Sequence, residues 1–109
     1  KLHGTGVFAW ANGNKYSGDW RDGVRHGRGE LQLANGNVYD GYWSEDQKHG
    51  EGIFTWKNGD KYDGEWEANK MHGVGTYRWP NGRWRDGQWR NGERVRWLTE
   101  ERIGGTRRK

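Results

Sequence analysis

The feature that most constrains the fold is a 23-residue repeat that runs along the chain without insertion. His-Gly pairs begin at residues 3, 26, 49 and 72, and Asn-Gly pairs begin at residues 12, 35, 58 and 81. Tryptophan keeps the same step, at Trp20, Trp43, Trp66 and Trp89. A fixed period of about 20 to 50 residues indicates a stacked repeat array, in which each copy buries its apolar surface against its neighbours.

Within one copy, the spacing of glycine and aromatic residues predicts β-strands. Tyr16, Gly18 and Trp20 stand at alternate positions, so they share one face of a strand. Helix is excluded, because glycine at every second position would cost about 1 kcal/mol each relative to alanine. Each glycine leaves a bare patch of backbone, and we expect a ring from a neighbouring strand to lie across it.

Two kinds of turn separate these strands. The Asn-Gly pairs stand between apolar residues, which predicts tight hairpin turns with positive φ at the central residues. The other connection carries residue types that tolerate a left-handed backbone, at Gly23, Asp46, Asn69 and Gly92. The predicted fold is therefore all-β, a single-layer antiparallel β-meander with one hairpin per repeat. One face is glycine and aromatic, and the other is polar.

The core of such a fold is aromatic rather than aliphatic. Leu, Ile, Val and Phe supply only 13 of 109 residues, and with 20 glycines and 31% charged residues this composition ordinarily indicates disorder. Nine tryptophans on a fixed period argue for a packed core instead. The chain has no cysteine and no apolar stretch of about 18 residues, so we expect a soluble, cytoplasmic protein without disulfides.

The motif Tyr-x-Gly-x-Trp, followed by His-Gly-x-Gly and an Asn-Gly turn, resembles the MORN repeat family. Four in-phase copies carry the resemblance over about residues 1–92. It implies an assembly and targeting module of the kind attached to cytoskeletal, ciliary, signalling or membrane-junction proteins. In the last copy Arg85 replaces the tyrosine, and residues 95–98 replace His-Gly-x-Gly. We interpret this departure as a cap for the last sheet edge.

These observations divide the chain into two parts. Residues 1–98 form the repeat array, with about four copies, a truncated first copy and a degenerate last one. Residues 99–109 form a basic tail, in which Thr99 is expected to N-cap a short helical turn with Leu98 packed on Ile103. The sequence starts in the middle of a repeat, so further copies are expected before it.

No pattern in the sequence predicts an enzyme, a metal site or a cofactor. The four histidines would stand about 10 Å apart along the sheet, whereas zinc ligands converge at about 2 Å from one ion. The carboxylates of Asp40 and Asp63 repeat in outward positions, without the asymmetric, desolvated setting that acid–base catalysis needs. Gly-x-Gly is not followed by a helix that could hold a phosphate. Rings beside arginines loosely resemble a single-stranded nucleic-acid platform, but packing on glycine explains them, and no nucleic acid is expected.

The aromatic face is the predicted binding site, because a single-layer sheet has no second layer to cover it. The main hypothesis is a non-enzymatic scaffold whose groove binds an extended or helical partner segment, or a second copy in a homodimer. The groove residues are Phe8, Trp10, Tyr16, Trp20, Tyr39, Trp43, Phe54, Trp56, Tyr62, Trp66, Tyr77, Trp79 and Trp89.

An alternative hypothesis comes from the distribution of charge. Residues 83–109 hold nine Lys/Arg against four Asp/Glu, while residues 1–82 hold 10 against 11. Such a basic region could bind an acidic protein or an anionic membrane, for example one with phosphoinositide or phosphatidic acid, or it could be a solvated tail. Cytoskeletal or membrane association is expected accordingly. The residues concerned are Arg83, Arg85, Arg90, Arg94, Arg96, Arg107, Arg108 and Lys109.

Overall fold

Ten antiparallel strands form one open sheet in a computed structural model of the chain, which describes residues 2–104. The strands are Gly4–Ala9 (β1), Lys15–Arg21 (β2), Val24–Gln32 (β3), Val38–Ser44 (β4), Gln47–Thr55 (β5), Lys61–Glu67 (β6), Lys70–Arg78 (β7), Arg83–Arg90 (β8), Glu93–Trp97 (β9) and Arg102–Ile103 (β10). Strands β1 to β8 lie side by side in chain order, and both β9 and β10 pair with β8. The predicted single-layer β-meander is confirmed.

Two-residue turns join the two strands of each repeat, as the sequence predicts. Both central residues have positive φ, with 52° and 84° at Asp22 and Gly23, and 49° and 72° at Glu45 and Asp46. These angles are those of the type I′ turn, whose twist matches that of the flanking strands. The turn also ties successive repeats together, because Asp46 N donates to Arg25 O at 2.9 Å.

The Asn-Gly turns differ from the prediction in one respect. Only the glycine has positive φ, with 101° at Gly13 and 100° at Gly36. Gly13 N donates to Trp10 O at 3.0 Å, and Trp10 N donates to Asn14 O at 2.9 Å, so the loop is longer than a two-residue hairpin. Asn12 contributes its side chain instead, since its Oδ1 accepts from Asn14 N at 3.0 Å. The turn therefore needs glycine because of its positive φ, and asparagine because its side-chain oxygen accepts a backbone hydrogen bond.

A bulge in the hairpins β2–β3, β4–β5 and β6–β7 explains three of the His-Gly pairs, those at His26, His49 and His72. In the second repeat Gly18 pairs with Gly29, but Trp20 pairs with Arg25, so Asp19 faces three residues of β3. Gly27 in this bulge has a φ of 87°, a conformation that favours glycine. Asp19 Oδ2 stabilises the bulge by accepting from Arg28 N at 3.0 Å.

The core lies on the glycine-aromatic face of the sheet. Tyr16, Tyr39 and Tyr62 are fully buried, and each ring lies over a glycine of the next strand, as predicted. A Cβ at Gly29 or Gly52 would overlap the tyrosine ring that covers it. The large tryptophans pack edge to face on these tyrosines, for example Trp43 on Tyr39 with centroids 5.1 Å apart. The rings therefore cover one another along the array without a second layer.

The end of the array is capped, but not by a helix. The helical turn predicted at Thr99 is wrong, because Thr99 bonds to β8 instead: its Oγ1 accepts from Asp86 N at 3.0 Å, and its carbonyl accepts from Arg85 Nε at 2.9 Å. β10 follows and pairs with Arg83 and Trp84. Leu98 and Ile103 stay exposed rather than packing together as expected.

Candidate functional site

The structure divides the thirteen predicted groove residues into a buried set and an accessible set. Eight form the core, with exposed fractions of 8% or less: Tyr16, Trp20, Tyr39, Trp43, Phe54, Tyr62, Trp66 and Trp89. Five keep more exposed surface: Phe8, Trp10, Trp56, Tyr77 and Trp79. The accessible set belongs to one part of the repeat, near the Asn-Gly turns. This narrower strip is the candidate binding surface, and the buried rings support it from below.

Three hollows lie along this strip, each lined by aromatic rings. Hollow 1 has a volume of about 210 Å³ and is lined by Leu2, Phe8, Trp10, Trp20, Gly23 and Asp46. Hollow 2, of about 260 Å³, is lined by Lys48, Phe54, Trp56, Trp66, Asn69 and Met71. Hollow 3, of about 270 Å³, is lined by Tyr77, Trp79, Trp89, Arg94 and Trp97. Because equivalent residues line them, the hollows follow the repeat.

A column of four residues on the same face is absent from the predicted groove, although its last member, Arg94, belongs to the predicted basic set. The column follows the 23-residue step, and each member is the second residue of the second strand of a hairpin: Arg25, Lys48, Met71 and Arg94. The bulge places them beside the aromatic rings, with Arg25 pairing opposite Trp20. A signal was present in the sequence, because they have the same parity as the glycines and aromatic residues that follow. The aromatic strip therefore carries positive charge.

Within this column the guanidinium of Arg25 is compensated by a carboxylate. Arg25 lies 4.5 Å from the centroid of the Trp43 ring, and its Nε donates to Asp46 Oδ1 at 2.6 Å. That hydrogen bond holds the pKa of Asp46 below its usual value. Lys48 lies over the Tyr39 ring at 5.6 Å, and burial, followed by the charge of Arg25, lowers its pKa. Both pKa values are lowered for different reasons: the hydrogen bond from Arg25 favours the charged form of Asp46, whereas burial disfavours the charged form of Lys48.

The predicted basic residues do not form one cluster of equally exposed side chains. Arg85 and Arg94 lie over the Trp97 ring at 4.7 and 4.6 Å, on the aromatic face. Arg83 forms an ion pair with Glu101 at 3.4 Å. Two more, Arg90 and Arg96, are exposed. The remaining three lie outside the described residues: Arg107, Arg108 and Lys109.

The opposite face is polar and holds a larger hollow of about 490 Å³. Its lining includes two histidines and three glutamates, His49, His72, Glu51, Glu65 and Glu67. Within residues 2–104, no group of three or more His, Cys, Asp or Glu side chains is placed to hold a metal ion. The same residues include no helix with the length and apolar character needed to cross a bilayer.

Comparison with known families agrees with this architecture. The family model for the MORN repeat matches residues 1–15, 16–38, 39–61, 62–82 and 86–95, which is well over half of the chain. The chain belongs to the MORN repeat family. MORN repeats are non-catalytic modules that interact with proteins or membranes. A comparison with curated proteins found no match to this chain.

The matched segments also locate the repeats of this MORN protein on the sheet. Three matches are nearly complete copies, and the first and last are partial. The last match ends at Val95, where the chain departs from the repeat and residues 95–98 replace His-Gly-x-Gly. In this repeat Gly87 pairs with Trp97, and the bulge is shorter, so the Trp97 ring turns onto the aromatic face. There it packs on Trp79 and Trp89 and closes the end of the core.

Proposed function

We propose that this MORN protein is a non-catalytic docking module whose aromatic strip binds an apolar segment, extended or helical, of a partner protein. The observation that carries the proposal is the row of three ring-lined hollows on a face that no second layer covers among residues 2–104. Concave apolar surfaces with a few polar groups are the usual form of binding sites. The proposed setting is cytoplasmic, with cytoskeletal or membrane association.

The positive charge of the aromatic strip favours a segment of a different protein, rather than a second copy of this chain, as the bound partner. A symmetric dimer through the aromatic strip would bring the same surface patch together from both chains. Arg94 and Lys48 take no part in the ion pairs found within residues 2–104, so this contact would place like charges against each other. A partner of different composition avoids that repulsion.

Replacing Trp56 by alanine is expected to weaken binding of peptide ligands by about 10- to 30-fold, because it removes a wall of hollow 2 and large tryptophans dominate such interfaces. Ligands would be selected from a phage library that displays random 16-residue peptides, and Kd would be measured by fluorescence anisotropy with synthetic peptides. Trp56 is preferred to Trp43, which is a core residue whose loss would destabilise the fold.

Tyr42→Ala is the matched control, because Tyr42 is an exposed aromatic residue on the opposite face. We expect it to leave peptide affinity unchanged. Failure to select any peptide, or an equal loss in both variants, would contradict the docking proposal. Light scattering is the second measurement: a dimer that persists in 0.5 M NaCl and dissociates in Trp56→Ala would make a second copy the occupant.

Binding to anionic membranes is the second candidate, favoured by exposed arginines at the last strands. Arg90→Gln with Arg96→Gln is expected to weaken binding to vesicles that contain phosphatidylserine and phosphoinositide by about 10- to 30-fold, since each basic residue contributes about 1 kcal/mol. Co-sedimentation at 0.1 and 0.5 M NaCl measures it, and binding should fall with salt. The control is the double variant Arg21→Gln with Arg28→Gln, which has the same net charge but changes residues away from the last strands. If it loses vesicle binding equally, a local membrane site at the last strands is excluded.

A further inference from the structure

Arg25 and Lys48 occupy equivalent positions on the aromatic face, one repeat apart, but their neighbouring turn residues differ. In one repeat, Arg25 Nε donates to Asp46 Oδ1 at 2.6 Å, and Arg25 N donates to the same oxygen at 3.1 Å. One repeat later the turn residue is Asn69, whose Oδ1 accepts from Lys48 N at 2.9 Å. The backbone hydrogen bond is kept, but an amide replaces the carboxylate. Lys48 therefore lacks the carboxylate counter-ion that Asp46 provides for Arg25.

Lys48 is surrounded by rings rather than by acidic groups. Its Nζ lies 5.6 to 5.9 Å from four ring centroids, those of Tyr39, Trp43, Phe54 and Trp66. Its side chain is half-buried, and it takes part in none of the ion pairs within residues 2–104. A partly desolvated ammonium group without a counter-ion gains most from a carboxylate that arrives with a ligand.

The fold itself does not require a positive charge at this position. Met71 takes the equivalent place in the next repeat, where it packs against the core, and the corresponding turn residue is Gly92. The column therefore contains Arg25 with its acid, Met71 without a charge, and two cations, Lys48 and Arg94, that have no acid among the ion pairs of residues 2–104. Of these two, Lys48 is the one that lines hollow 2. The packing of Met71 indicates that methionine could also fill position 48.

We infer that the partner segment carries an Asp or Glu side chain whose carboxylate binds Lys48 Nζ at hollow 2. This inference rests on the proposed docking function. This carboxylate takes the place that Asp46 takes beside Arg25. An apolar side chain next to it in the partner occupies the space between Trp56 and Met71, which line the same hollow. Lys48 is thereby the residue that makes the aromatic strip selective for acidic-apolar segments.

Two variants test the inference, and each copies a residue that the chain already uses at the equivalent position. Lys48→Met reproduces Met71 and removes the charge, while Asn69→Asp reproduces Asp46 and supplies an internal counter-ion. Peptides selected on the wild-type protein from the random 16-residue library are expected to be enriched in Asp and Glu. Changing the critical Glu of such a peptide to Gln should weaken binding about tenfold on the wild type and less than about twofold on either variant.

The control is Lys61→Met, which makes the same change of net charge at an exposed position on the opposite face. It should retain the tenfold preference for Glu over Gln. Selected peptides without an acidic excess, or a preference that survives in both Lys48→Met and Asn69→Asp, would overturn the inference while leaving docking intact. Failure to select peptides at all would overturn the docking proposal as well. Phosphatidylserine vesicles that displace the peptide from wild type but not from Lys48→Met would assign the anion to lipid and overturn the acidic-segment inference.

Discussion

Gly52→Ala is expected to destabilise the array by at least about 3 kcal/mol and to lower its Tm by more than about 10 °C. The new Cβ would overlap the hydroxyl and ring carbons of Tyr39. That ring cannot move aside, because it is fully buried and lies edge-on to Trp43 at 5.1 Å and to Trp66 at 5.3 Å. The overlap can therefore be relieved only by displacing the whole ring from the core, which breaks the hydrogen bond that its hydroxyl donates to Tyr42 O at 2.8 Å. Urea denaturation followed by tryptophan fluorescence measures the loss.

Gly6→Ala is the matched control for this prediction, since Gly6 occupies the same repeat position as Gly52. A Cβ there would meet only the Trp20 ring, at an ordinary contact distance of 3.8 Å. Alanine also reduces the entropy of the unfolded chain, so we expect a change within about 0.5 kcal/mol. If both variants lost equal stability, glycine would be needed for the backbone and not for the ring that covers it.

The repeat period made most of the fold predictable. Alternation of Tyr16, Gly18 and Trp20 specified the aromatic face, and residues that tolerate a left-handed backbone, at Gly23 and its equivalents, specified the turns. These features are local, so they can be read from one copy and checked in the others. The bulge at Gly27 was not predicted, because positive φ within a strand depends on the pairing of β2 with β3. The sequence pattern alone does not give that register.

The candidate site was predicted less completely, for two physical reasons. Alternation says which residues share a face, but not how rings cover one another, so Tyr39 was assigned to the groove although its ring is fully buried. The sequence also presented Lys48 as an ordinary polar residue at the start of a strand. Its importance depends on the four rings around it and on the exchange of Asp46 for Asn69 one repeat later. Both observations require the stacked structure.

Raising the pH from 10 to 12 is expected to unfold the array. Burial raises the pKa of Tyr16 to about 12, and it also raises the pKa of Tyr39 and Tyr62. The unfolded chain ionises its tyrosines near pH 10, so above that pH it binds fewer protons than the folded state, and the free energy of unfolding falls. Burial and the hydrogen bond that Tyr77 donates to Asp60 raise the pKa of Tyr77 as well. For four such tyrosines the slope approaches about 5 kcal/mol per pH unit. Lys48 opposes this trend because its pKa is lowered, but it is one group against four.

Urea denaturation at a series of pH values from 8 to about 11.5 tests this account, with Tyr39→Phe as the informative variant. At neutral pH the variant should be about 1 kcal/mol less stable, because the hydrogen bond to Tyr42 O is lost. Above pH 10 its stability should fall with about three quarters of the wild-type slope, since phenylalanine has no proton to lose, and the two curves should therefore converge and cross. Parallel curves would show that groups other than the buried tyrosines govern alkaline unfolding. The same hydroxyl would then contribute its hydrogen bond to stability without limiting the pH range of the fold.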